Sequence, residues 1–197
     1  MKLKAAIFAV ALTALSIGTL RAATQEIKKL KLEAGEISIL TSRVILNGSA
    51  RVRSQDKIKK TSFDASAKKI TADFFPAENS GPKLSGVSAV KSAVMDGPVK
   101  IVYTEQDANG NTVKTTAMAD SATYDGAEQK AYLLGNVRIV NEDPTQFEEP
   151  SVMTGDRGMI NLKPNLGPEE VRYKIESAPG LSSVEVTPKP QPKKGTK

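Results

Sequence analysis

The chain of 197 residues contains no cysteine, no histidine and no tryptophan. Without cysteine it has neither disulfides nor the lipid-attachment residue of a bacterial lipoprotein, so its stability must come from the fold alone. Without histidine or cysteine, and with no glycine-rich phosphate loop, the usual nucleophile–base pairs are missing. We therefore expect no enzyme, no cofactor and no metal. Asp107, Asn109 and Asn111 alternate oxygen ligands as a calcium loop does, but the glutamate that closes such a loop is absent. Aromatic residues are 5% of the chain, so any core must be built from Val, Ile, Leu and Ala, which suits thin-walled β-structure. A dense basic face is lacking too. The formal charge is +6, but Lys2, Lys4 and Arg21 belong to a leader and Lys189, Lys193, Lys194 and Lys197 to a tail, leaving 21 basic against 22 acidic residues. That balance excludes nucleic acid as a partner.

Only one long apolar run is present, Ala5 to Leu20 behind Lys2 and Lys4, followed by the small residues of "LRAATQ". It reads as a signal peptide over residues 1–22, cleaved after Ala22, that exports the chain to the periplasm. The alternative is a retained inner-membrane anchor facing the same compartment. A folded domain is expected over 23–187. The last ten residues, "PKPQPKKGTK" (188–197), alternate proline with polar residues and predict a disordered tail.

Between these ends the hydrophobic period is two. Val44, Leu46, Gly48, Ala50 and Val52 alternate with mainly polar neighbours, and Leu133, Gly135, Val137 and Ile139 alternate with Leu134, Asn136, Arg138 and Val140. This is the mark of half-solvated antiparallel strands. Asn109-Gly110 and Asp125-Gly126 supply hairpin turns. The pairs Glu148-Glu149 and Glu169-Glu170 read as solvated loop residues.

A strand motif recurs. "LNGSARV", "MDGPVKI" and "LLGNVRI" share apolar-x-Gly-x-Val/Ala-x-Val/Ile, centred on Gly48, Gly97 and Gly135. Each is followed by a second element: "TADFF", with Ala72 and Phe74; "SATYD", with Ala122 and Tyr124; and "GDRGMI", with Gly158 and Ile160. The unequal spacing traces to a Pro-, Gly- and Ser-rich insertion, "PAENSGPKLSGV". Such a repeat stacks strand on strand. A mid-strand glycine either bends the strand or keeps its inner face wide.

With "ITADFF", "VKSAVMDGPVKIVYTE", "AMADSATYDGAEQKAYLLGNVRIV" and "MTGDRGMINL" in this order, the chain resembles the OstA/LptA family of periplasmic lipopolysaccharide-transport proteins. Val90, Gly97, Val99, Ala119, Ala122, Tyr124, Asp125, Leu133, Gly135, Asn136 and Val137 meet the family pattern, with Pro98 where the pattern has Asn. The resemblance implies an all-β fold, a twisted V-shaped antiparallel β-jellyroll open along one side. It implies an apolar groove holding lipopolysaccharide or a related outer-membrane glycolipid, and a bridge from inner to outer membrane. The implied partners are an inner-membrane LptC-like protein, an outer-membrane LptD-like protein and further copies docked end to end; a chain retaining its anchor would be LptC-like itself. A structural envelope protein with a closed, ligand-free core is the rival from another class. Leu46, Val52, Val99, Ile101, Tyr103, Ala122, Tyr124, Leu133, Val137 and Ile139 share the expected inner, lipid-facing side of an unfilled trough.

Overall fold

The computed structural model describes residues 28–75, 90–106, 109–163 and 166–190. The leader, the inserted loop, Asp107 and the last seven residues of the tail lie outside them. Among these residues ten strands follow in chain order: β1 (Lys28–Glu33), β2 (Glu36–Ile39), β3 (Arg43–Asp56), β4 (Thr61–Phe74), β5 (Val90–Gln106), β6 (Thr112–Asp125), β7 (Lys130–Glu142), β8 (Phe147–Asn161), β9 (Tyr173–Glu176) and β10 (Ser183–Pro188). All belong to one antiparallel sheet in which β3 to β8 form an uninterrupted meander. The expected turns are in place. Asn109-Gly110 lies between β5 and β6, and Asp125 closes β6 by accepting the amides of Ala127 at 2.8 Å and Glu128 at 3.0 Å.

The six long strands are creased at mid-length, and the repeated glycines form the crease. Pairing breaks between Asn47 and Ala50, between Asp96 and Val99, and between Leu134 and Val137. In each gap two residues face one on the next strand: Gly48-Ser49 against Lys68, Gly97-Pro98 against Asp120, and Gly135-Asn136 against Asp156. These are β-bulges, which bend a strand and sharpen its twist. Gly48, Gly97 and Gly135 have φ of 74°, 88° and 77°, a region open mainly to glycine, and Ser49 and Asn136 follow at 49° and 48°. Asn136 tolerates that conformation and donates its side-chain N–H to Asp120 Oδ2 at 2.8 Å. Pro98 cannot adopt it, so Gly97 carries the bend of β5 alone. The glycines are thus benders, and none lies on the inner face.

The crease divides the sheet into two walls. The first holds β1, segments 50–56, 61–67, 99–106, 112–119, 137–142 and 147–155, and β10. The second holds β2, segments 43–47, 69–74, 90–96, 121–125, 130–134 and 157–161, and β9. β1 and β2 behave as one strand bent at Gly35, whose amide donates to Gly48 O at 2.8 Å. The buried side chains of both walls form a single core. This is the all-β, V-shaped antiparallel jellyroll expected above. On β3, β5 and β7 the inward alternation keeps its parity across the two-residue bulge. On β4, β6 and β8 it shifts by one at the adjacent polar pairs Lys68-Lys69, Asp120-Ser121 and Asp156-Arg157.

Two sequence alignments need correction. Ile70 and Ala72, not Ala72 and Phe74, stand at the register of Ala122 and Tyr124, because the β3–β4 hairpin is shorter. Glu148 and Glu149 sit in β8, exposed, instead of in a loop. On the outer face, ion pairs fix register. Arg43 binds Asp73 directly opposite it (2.6 and 3.1 Å), Arg51 binds Asp64 diagonally (2.9 and 2.5 Å), and Lys114 meets Glu142 at 2.7 Å. Being exposed, each adds little stability, but a slip of one residue would separate them.

The crease predicts an order of sensitivity. A Cβ on Gly48 meets nothing nearer than 3.9 Å, so Gly48→Ala incurs backbone strain alone, about 1 kcal/mol. At Gly135 it would crowd Asp120, with Asp120 Cβ at 3.0 Å, and at Gly97 it would lie 2.6 Å from Lys68 Cβ. Urea melts should therefore rank Gly97→Ala as the most damaging, by about 3 kcal/mol, then Gly135→Ala, then Gly48→Ala. Equal costs at the three sites would contradict this account of the crease.

Candidate functional site

The V encloses facing rows of side chains. Nearest the crease stand Ala50 and Ala67, Val99 and Ala119, Val137 and Gly155. Small residues on β4, β6 and β8 let the walls approach, and branched ones on the intervening strands fill the space: a Cβ on Gly158 would lie 2.8 Å from Val137 Cγ1. One step outward, Val52, Ala65, Ile101, Ala117 and Ile139 of the first wall face Leu46, Ile70, Met95, Ala122 and Leu133 of the second. At the mouth the first wall presents Phe63, Tyr103, Thr115, Asn141 and Ser151 in register. The second presents Val44, Ala72, Ala93, Tyr124, Ala131 and Ile160.

Of the ten inner-face residues expected from sequence, Leu46, Val99, Ile101, Ala122, Tyr124, Leu133, Val137 and Ile139 are buried in the core, while Val52 and Tyr103 are half-buried. The repeat glycines lie on the crease. The interior is not the open trough expected, because its own side chains fill it: Leu46 and Ile101 are 1% exposed and Ile139 is 0%. Among the described residues a narrow apolar cleft of about 40 Å³ lies between the walls, room for a few waters and far short of an acyl chain. Val52, Phe63, Ala65 and Leu30 line it from the first wall; Ile70, Ala72, Val90, Ala93, Met95 and Tyr124 line it from the second. Only Val52 and Tyr124 were among the expected residues. Those on β4 were missed because the alternation there changes parity, which the lysine pair at 68–69 marks. A wider, shallower depression of about 480 Å³ lies on the outer side of the second wall, around Tyr132, Leu134 and Met159.

Electrostatics divide the mouth. Burial pushes the Tyr124 phenol up to about 12, with the Asp125 charge adding to it. Burial, then Glu105, also raise Tyr103, so both hydroxyls stay neutral. The first-wall row is apolar at Phe63 and becomes polar at Thr115, Asn141 and Ser151, all buried. Among the described residues no cluster of acidic side chains could hold a metal. Among the described strands both sheet edges have one unpaired side. The β1–β2 edge carries exposed Ile37 and Ile39, with Leu40 just beyond, and the β9–β10 edge carries exposed Val184 and Val186.

Strand β1 forms the rim of the cleft and is fastened by Glu33, which binds Lys31 at 2.7 Å and Arg53. Hydrogen bonds from Lys31 and then Arg53 lower its pKa to about 2 from an ordinary 4.5. A depressed pKa gives stability that is present above pH 4.5 and lost as pH falls toward 2. Glu33→Gln should therefore flatten that part of the acid limb in a pH series of thermal melts. An unchanged slope would show that these pairs do not hold the rim.

No protein-family model matches the sequence, and no curated protein does. Among solved structures the chain is similar to LptH from Pseudomonas aeruginosa, described as the LptA homologous periplasmic component of the conserved lipopolysaccharide transport device. Sequence identity is 10% and the TM-score 0.49, over 82% of this chain and 96% of that one.

Proposed function

We propose that the protein is a periplasmic carrier that holds the acyl chains of lipopolysaccharide, or a related outer-membrane glycolipid, between its two walls. The observation that carries this reading is the pair of apolar rows running across the walls from β3 to β8, with a cleft at their mouth. The motif resemblance to the OstA/LptA family supports it. So does physical need: each buried CH₂ gains about 0.8 kcal/mol, so a chain of about 12 carbons loses on the order of 10 kcal/mol in water. Glycolipid crossing an aqueous space needs apolar cover throughout. The unpaired edges, normally a liability, serve as docking strands by β-augmentation, β1–β2 toward one neighbour and β9–β10 toward the other. The neighbours are LptC-like and LptD-like partners or further copies, and the bridge they form joins the two membranes. With so little space in the closed state, cargo is admitted by parting the walls.

The small volume of the cleft also favours a second reading, a structural envelope protein whose core never opens. Photo-crosslinking in living cells separates the two. A benzophenone amino acid at Tyr124, on the inner face, should capture lipopolysaccharide, whereas one at Thr123, its outward neighbour, should not. Absence of capture at Tyr124, in a variant that accumulates normally, would rule out the carrier.

A further inference from the structure

The mouth of the V closes differently along its width. Over β3–β5 the facing rows are apolar and leave the cleft. Over β6–β8 a side chain of the second wall crosses to the first. Tyr173 opens β9 and pairs with Ile160 in the second wall. Its hydroxyl nevertheless lies 2.6 Å from Thr115 Oγ1 and donates to Asn141 Oδ1 at 3.3 Å, both in the first wall. Arg172 beside it donates to the backbone carbonyls of Asn161 (2.8 Å) and Lys163 (2.9 Å), and its Nη2 lies 3.7 Å from Glu105 Oε1. Glu105 in turn accepts from the Tyr103 hydroxyl at 3.0 Å.

Two features make this crossing releasable. Strand β9 has only four residues and, among the described strands, pairs with β8 alone, so few backbone bonds hold it. It seats Ile175 in a notch left by two glycines: Cβ atoms at Gly155 and Gly158 would lie 2.5 Å and 3.2 Å from that side chain. The contact across the mouth is polar, and water can replace a neutral hydrogen bond at small net cost when the groups separate. An apolar contact would have no such substitute.

We infer that β9 is a latch: Tyr173 fastens the walls on the β6–β8 side through Thr115 and Asn141, and its release lets an acyl chain in the cleft extend along the V. This rests on the carrier reading above. The test uses the full chain with Tyr173→Phe and, on the opposite wall, Thr115→Val. Two quantities are measured, amide hydrogen exchange across β9 and the rate at which cis-parinaric acid, a fluorescent fatty acid, enters the protein. Thr115→Val, which removes one neutral hydrogen bond to Tyr173 and leaves the one to Asn141, should speed both about fivefold; Tyr173→Phe, which removes both, should speed them more, and the double variant should match Tyr173→Phe. Faster exchange with unchanged probe uptake would make Tyr173 merely structural and overturn the latch. Unchanged exchange would also overturn it, by showing that the hydroxyl does not hold the strand. If neither the parent chain nor any variant takes up the probe, the carrier reading fails first and the latch with it. Wild-type uptake that the variants leave unaltered removes the latch alone.

Discussion

A left-handed backbone at one level of three alternate strands is the constraint on which the rest depends. Gly48, Gly97 and Gly135 each place an extra residue opposite a single neighbour, and the bulges fall on one line. One bulge would kink one strand; a row of them folds a sheet. Everything inward follows from that line. The parity shifts on β4, β6 and β8 keep apolar side chains inside on both walls, and alanines and glycines next to the crease let the walls meet. Edge strands bend in the same place, at Gly35 on one side and in the 177–182 loop on the other.

Much of this was legible in the residues. The period of two, the Asn-Gly and Asp-Gly turns and the threefold motif gave the class of fold and the faces of β3, β5 and β7. Those faces were readable because a bulge of two residues leaves the alternation in step, so Leu46 and Val52, or Leu133 and Val137, fall on one side by simple counting. The same counting fails on β4, where Ala65 and Ala67 point inward and so do Ile70 and Ala72. Nor could counting tell a bending glycine from a widening one, since that is a matter of φ. Two further facts were out of reach for a different reason. The filling of the trough and the bridge from Tyr173 to Thr115 both depend on how far apart the walls stand, and a one-dimensional pattern carries no such distance.

The interior is graded from dry to polar. Leu30, Phe63 and Ala93 at one side of the mouth offer nothing to a polar group, while Thr115, Asn141 and Tyr173 at the other satisfy one another. Buried polar groups are tolerated when they are hydrogen-bonded, and here the partners come from opposite walls. Closure is therefore specific on one side and merely hydrophobic on the other. Ser151, whose hydroxyl is buried with no hydrogen-bond partner among the described residues, extends the polar row to β8.

A fold made by creasing a sheet is also a lever. Four to six residues separate the crease from the mouth, an arm of about 15 Å at the rise of a β-strand. Rotation by about ten degrees around that axis would move the mouth by about 3 Å, while Ala50, Ala67 and Ala119 beside the axis would barely shift. Opening of this kind leaves the inner packing intact and concentrates displacement where Phe63, Ala93 and Tyr124 stand. In the proposed opening the bulges that fix the fold are also the pivot, and the width of the cleft is set by an angle more than by a volume.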